Sequence, residues 1–107
     1  MEVDIRKKLR VKMIKTFMEL SILAQLRKNA MSGYDIITLI REKYGVVVSS
    51  GTVYSRLYRM ERDGLVEGKS DMRKRNYTLT EKGKKTIETI LNAKEPILED
   101  FTKNFAK

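Results

Sequence analysis

Cysteine, histidine and tryptophan are absent from the 107 residues, and proline occurs once, at Pro96. Without cysteine there is no disulfide and no thiolate nucleophile. Without histidine as well, the usual zinc ligand sets are missing, and so is the side chain best suited to proton transfer near neutral pH. Catalysis is therefore not expected, and neither is a metal or a cofactor. Long apolar runs are also lacking. Glu19 and Gln25 interrupt the best candidate, Phe17 to Leu26, which falls short of the roughly 18 residues needed to span a bilayer. No uncharged segment with a small-residue cleavage site follows the basic start. The expected location is cytoplasmic, with no membrane partner.

What the chain does have is positive charge, with a formal net of +9. For a small basic domain the commonest polyanionic partner is nucleic acid. The length allows a single domain with one modest core. Fourteen carboxylates are present. Most alternate with lysine and arginine at helical spacing, as in Glu81, Lys82, Lys84, Lys85 and Glu88, which describes an ion-paired surface rather than an acid/base pair.

Residues 1–15 carry Arg6, Lys7, Lys8, Arg10, Lys12 and Lys15 and form either a basic arm or the start of a helix. From Ile14 the apolar set Ile14, Phe17, Met18, Leu20, Ile22, Leu23 and Leu26 predicts a central helix ending near Lys28, with a break at Asn29 to Met31. Ser32 and Asp35 resemble a capping box that opens a second helix through Tyr44, and Gly45 suits its left-handed end. Val46 to Val48 reads as a short strand, because β-branched side chains favour a pleated surface.

A third helix follows, with Ser49 as N-cap and Gly64 as terminator. Val53, Leu57 and Met60 fall on one face, and Thr52, Ser55, Arg56, Arg59 and Arg62 on another. Leu65 to Glu67 then begin a hairpin, Lys69 to Arg73 make its turn, and Asn76 to Leu79 return. Arg73, Lys74 and Arg75 form its basic run. An arginine-bearing helix followed at once by a basic hairpin is the layout of a winged helix-turn-helix, in which the helix enters the major groove and the wing reaches the flanking backbone. The expected fold is mainly α with a small β-hairpin (α+β), and the expected partner is double-stranded DNA. Arg56 and Arg59, with Thr52 and Ser55, are the candidates for base edges.

Thr80 caps a last helix over residues 81–107. Ile87, Ile90, Leu91, Ile97, Leu98, Phe101 and Phe105 make an apolar stripe along it, and Pro96 is expected to kink or divide it near Ala93 to Glu95. Residues 14–80 would form the winged helix. The stripe is assigned to a homodimer, because twofold operators are matched by twofold dimers. No small-molecule effector is indicated by the sequence. The place for one would be between the first and last helices, where Met13, Phe17, Phe101 and Phe105 line an apolar gap.

From about Phe17 to Gly83 the chain resembles the PadR family of bacterial and archaeal transcriptional regulators. The resemblance rests on SILAQL, MSGYDI, SSGTVYSRLYRMERDGLVE and RNYTLTEKG. Its specific parts are Gly33-Tyr34, Gly51-Thr52-Val53-Tyr54 and Tyr77-Thr78-Leu79-Thr80. It implies a winged helix-turn-helix with a single C-terminal dimerising helix, more often a repressor. It places Tyr34, Ser50, Gly51, Thr52, Tyr54 and Arg59 near DNA, with the wing at Arg73 to Arg75. Two departures stand out: Ser50 and Ser55 occupy positions that are usually proline, and the tryptophans that stack flat aromatic ligands in drug-sensing members are missing. Two alternatives remain open at this stage, a non-specific architectural DNA-binding protein and a winged-helix protein-interaction module.

Overall fold

The computed structural model describes residues 2–104, with the side chains of residues 2, 3 and 101 left aside. Among the described residues the order is α1 (Glu2–Thr16), α2 (Met18–Leu26), β1 (Met31–Ser32), α3 (Gly33–Tyr44), α4 (Ser50–Arg62), β2 (Val66–Asp71), β3 (Lys74–Leu79) and α5 (Glu81–Lys103). The strands form one antiparallel sheet in the order β1-β3-β2. This is the mainly helical α+β arrangement with a wing that the sequence predicts.

The basic start is helical throughout, and it is not continuous with the buried helix after it. Phe17, at φ −103° and ψ 32°, separates α1 from α2. Hydrogen bonding still runs across the junction, from Phe17 N to the Met13 carbonyl and from Ser21 N to the Phe17 carbonyl, both 2.9 Å. The junction is a kink rather than a loop. Phe17 was expected in the core and is half-exposed instead. Met18, Ile22, Leu23 and Leu26 already fill the inward side, and one residue of offset turns Phe17 about 100° away from Met18.

The starts of α3 and α4 are closed as the sequence indicates. Ser32 Oγ accepts from Asp35 N, and Asp35 Oδ2 accepts from Ser32 N, both at 3.1 Å. Gly45 ends α3 at φ 67°. Ser49 Oγ accepts from Thr52 N at 3.1 Å and opens α4. At the other end Leu65 N donates to the Met60 carbonyl and Gly64 N to the Glu61 carbonyl, at 2.9 and 3.0 Å. That pair of bonds is a Schellman motif, and it requires the left-handed φ of 78° at Gly64.

The valine run does not form the expected strand. Val46 and Val48 are buried and Val47 faces out, as in extended chain, yet no neighbouring strand pairs with them. The strand forms instead at Met31–Ser32, which the sequence analysis read as a break, with Met31 opposite Tyr77 and Ser32 opposite Asn76. A strand needs an open ladder edge more than it needs β-branched residues, and the free edge of β3 lies beside Met31. The hairpin is also longer than expected. Lys69 to Asp71 belong to β2, Lys74 and Arg75 to β3, and only Met72 and Arg73 form the turn.

One core joins these elements: Met18, Ile22, Leu23 and Leu26 of α2, Ile36 and Ile40 of α3, Val53, Leu57 and Met60 of α4, together with Val46, Val48, Val66, Tyr77 and Ile87. Thr80 Oγ1 accepts from Gly83 N at 3.1 Å, capping α5, and donates to the Gly64 carbonyl. The last helix runs through Pro96 undivided. Among the described residues no helix is long and apolar enough to cross a membrane.

Candidate nucleic-acid interface

Helix α4 divides its surface cleanly. Val53, Leu57 and Met60 face the core, while Ser50, Gly51, Thr52, Ser55, Tyr58, Arg59 and Arg62 are exposed and Arg56 is partly so. The small residues lie at the amino end, where no side chain blocks the backbone from a surface brought against it. A Cβ at Gly51 would meet nothing within 4 Å. The cap also occupies Thr52, whose hydroxyl accepts from Ser49 Oγ at 2.7 Å.

Arg56 and Arg59 of α4 are not free in the protomer, whereas Arg62, at the end of the helix, is exposed and makes no ion pair among the described residues. Arg56 Nη1 and Arg59 Nη1 both donate to Glu19 Oε2 on α2, at 3.2 and 3.3 Å. The wing is tied down in the same way. Arg75 Nη2 lies 2.7 Å from Glu61 Oε2 on α4, and Lys74 Nζ lies 3.1 Å from Asp35 Oδ2 on α3. Arg75 lies so closely across Gly68 that a Cβ there would fall 2.6 Å from its Nε. Glu61 also accepts from Gly68 N at 3.4 Å, so one carboxylate holds both wing strands to α4. Of the cations expected to face DNA, Arg73 at the tip is the one without an ion pair among the described residues. Beside it Met72 is fully exposed.

This packing displaces the ionisation of Asp35, Tyr77 and Arg75, the last of them upward through its contact with Tyr77. The Ser32 backbone N–H, with Lys74 in support, holds the Asp35 carboxyl below its ordinary value, against an opposing contribution from burial. Burial pushes the Tyr77 phenol up, opposed by the nearby Arg75 guanidinium. The Tyr77 hydroxyl has no hydrogen-bond partner among the described residues.

The tyrosines take different positions. Tyr34, at the first turn of α3, is 67% exposed. Tyr54 is half-buried, and its ring crosses Gly33 so closely that a Cβ on that glycine would lie 2.5 Å from Cε1. Glycine at position 33 is thus explained by the passage of the Tyr54 ring. Tyr58, 56% exposed, lies next to it with ring centroids 6.4 Å apart. Tyr58 is not among the residues expected at the interface. Its spacing of four from Tyr54 was the available signal. Glu19, Asp35 and Glu61 are likewise unexpected partners for the cations, since those pairings span 14 to 40 positions and no local pattern reveals them.

The residues expected to make a dimer face separate into two groups. Ile87 is buried in the protomer's own core and has no area left to offer a partner. Leu91 packs against that core and Ile90 is half-buried. Ile97 and Leu98 are 59% and 57% exposed. The Phe101 side chain and Phe105 lie outside the described residues. Met13 and Phe17, expected beside an effector gap, are exposed on α1 and in the kink, in line with Ile5 and Leu9. Among the described residues no group of three or more acidic side chains could hold a metal ion.

Comparison with known proteins agrees with this geometry. The model of the "Transcriptional regulator PadR-like family" matches residues 22–89, from α2 into α5. The negative transcriptional regulator PadR of Bacillus subtilis is 30% identical over 79% of this chain and 50% of its own length. The chain therefore spans half the length of that relative. A transcriptional regulator from Clostridium thermocellum superposes with a TM-score of 0.74 at 25% identity, over 90% of this chain and 96% of that one. Bacillus subtilis PadR, solved in complex with operator DNA, superposes with a TM-score of 0.65 at 28% identity, over 69% of this chain and 46% of that one. Matched from within α2 through the wing to the first turns of α5, this chain belongs to the PadR-like family of transcriptional regulators.

Proposed function

We propose that the chain is a sequence-specific regulator that binds double-stranded DNA as a homodimer and acts as a repressor. The observation that carries this reading is the outward face of α4. Small residues at its capped amino end, Ser50, Gly51, Thr52 and Ser55, give way to Arg56 and Arg59, with a basic wing fixed alongside. An exposed helix of this composition fits a major groove, where arginine can bridge guanine O6 and N7. Tyr34 and Tyr54 would hold phosphates, and Arg73 at the wing tip would reach the flanking backbone or a narrow minor groove. The operator complex of the B. subtilis relative supports the assignment of partner.

The dimer reading rests on two apolar faces without cover in the protomer. On α1, Ile5, Leu9 and Met13 recur every four residues and are exposed, flanked by Arg6, Lys8, Arg10 and Lys12. On α5, Ile97 and Leu98 are exposed beside Glu95, Glu99 and Asp100. The faces are alike in apolar content and opposite in charge, so α1 of one protomer suits α5 of its partner. Two recognition helices would then enter successive major grooves about 34 Å apart. Occupying a promoter in this way excludes polymerase.

Non-specific coating of DNA is disfavoured by the ion pairs, which leave few uncommitted cations on the face. The deciding experiment is titration of the protein against fragments surrounding its own gene, in competition with random duplex at near-physiological salt. A discrete twofold site bound about a thousandfold more tightly than random DNA is expected. Equal affinity along every fragment would replace the regulator with an architectural protein.

A further inference from the structure

A single carboxylate oxygen accepts from two successive arginines of the reading helix. Glu19 Oε2 lies 3.2 Å from Arg56 Nη1 and 3.3 Å from Arg59 Nη1. Glu19 belongs to α2, outside the helix-turn-helix pair, and its side chain is about one-third exposed. The other two carboxylates of the face, Asp35 and Glu61, each hold one wing cation. Glu19 alone governs side chains that point from α4.

We propose that Glu19 is a specificity-determining positioning residue, which withholds Arg56 and Arg59 from indiscriminate phosphate contact while holding them ready for base edges. The inference rests on the reading of α4 as the DNA-facing helix. Two unpaired guanidiniums would attract any phosphate within reach, and phosphate attraction carries no sequence information. With Glu19 between them the pair's formal charge falls from two to one. Each guanidinium has five N–H donors, and the carboxylate engages one on each. The result is a surface rich in donors and poor in charge, which suits the acceptor atoms of guanine better than a phosphate oxygen. Rotamer freedom of two long side chains is also lost before docking rather than during it.

The test compares Glu19→Gln with the wild-type protein on operator and on random duplex across a salt series. Glu88→Gln, the same change of charge on an exposed position of α5, serves as control. Release of one arginine to a phosphate should tighten random-duplex binding about eightfold at 0.1 M salt and steepen its salt slope by about 0.9. Operator affinity should move by less than about twofold, so that the specificity ratio falls. Adding Arg59→Gln to Glu19→Gln should return the random-duplex slope toward that of the wild type. An unchanged ratio in Glu19→Gln, an equal shift in Glu88→Gln, or a slope that does not return in the double variant would each overturn the proposal. If the wild type bound neither duplex, the DNA-facing reading itself would fall, an outcome distinct from wild-type binding that Glu19→Gln leaves untouched.

Discussion

The two ends of this molecule are built differently. Around α3, α4 and the wing, helix starts carry side-chain caps, most apolar positions are buried, and Arg56, Arg59, Lys74 and Arg75 are tied to carboxylates on neighbouring elements. On α1 and the distal half of α5 the position is reversed. Ile5, Leu9, Met13, Ile97 and Leu98 stand in solvent, and Pro96 sits inside the helix with little around it. The first region pairs most of its polar groups and buries most of its apolar ones, with the Thr38 and Tyr77 hydroxyls unpartnered and Tyr34, Val47, Tyr58 and Met72 exposed. The second leaves apolar area open, which a second copy of the chain would cover. The contrast separates residues that hold the protomer together from those proposed to contribute on self-association.

The largest effect should come from breaking that separation in the core. Leu57→Ala removes a fully buried side chain and should lower unfolding free energy by about 2–5 kcal/mol in urea titration. Leu98→Ala, at the other end, should leave protomer unfolding nearly unchanged. It should instead weaken self-association by roughly 1–3 kcal/mol in sedimentation equilibrium. Equal effects on protomer stability would erase the distinction between the two ends.

Next in size, Arg59→Ala should weaken operator binding by about 1–3 kcal/mol and random-duplex binding hardly at all. Equal losses in a competition assay would reassign it to phosphate. Loss of the capping box in Asp35→Asn should destabilise the protomer by about 1 kcal/mol at neutral pH. The folded-state pKa of Asp35 is depressed. Its contribution is therefore complete above the ordinary carboxylate pKa and disappears as pH falls through the folded-state value. Unfolding curves of the two proteins should converge in acid, and a constant gap would remove the carboxylate from the explanation.

Gly51→Ala sharpens the comparison from another side. The space around Gly51 is open, and alanine is favoured over glycine by about 0.5–1 kcal/mol in a helix interior and by less in the first turn, where Gly51 lies. The variant should melt higher and bind operator less well, because the methyl group intrudes where the backbone is proposed to approach DNA. Undiminished binding would show that the helix does not approach closely at this point. The smallest effect concerns the wing. Arg73→Ala should flatten the salt slope by about 0.9, whereas Arg75→Ala, already paired with Glu61, should flatten it less and loosen the wing.

Much of the winged unit was legible in the sequence because its signals are local. Ser32 with Asp35, Ser49, Gly45, Gly64 and Thr80 each act within a few residues of themselves, and the Val53, Leu57, Met60 stripe follows from helical period alone. Two features were misread for a shared reason. The valine run has strand-forming side chains without a free ladder edge, and Met31–Ser32 has the edge without the propensity. Ile87 matches the apolar stripe of α5 but lies on the part of that helix packed against α2 and the sheet.

By itself the sequence determined the helices and their caps, the basic character of the chain and the family motifs, all consequences of short-range spacing and composition. Only the tertiary structure decided that β1 pairs with β3 and that Arg75 clasps Glu61 rather than projecting from the wing tip. It alone brought Glu19 between Arg56 and Arg59. Each of these joins residues far apart in the chain, and a charged side chain takes its partner from whatever the fold brings within about 4 Å, which no periodicity along the chain encodes.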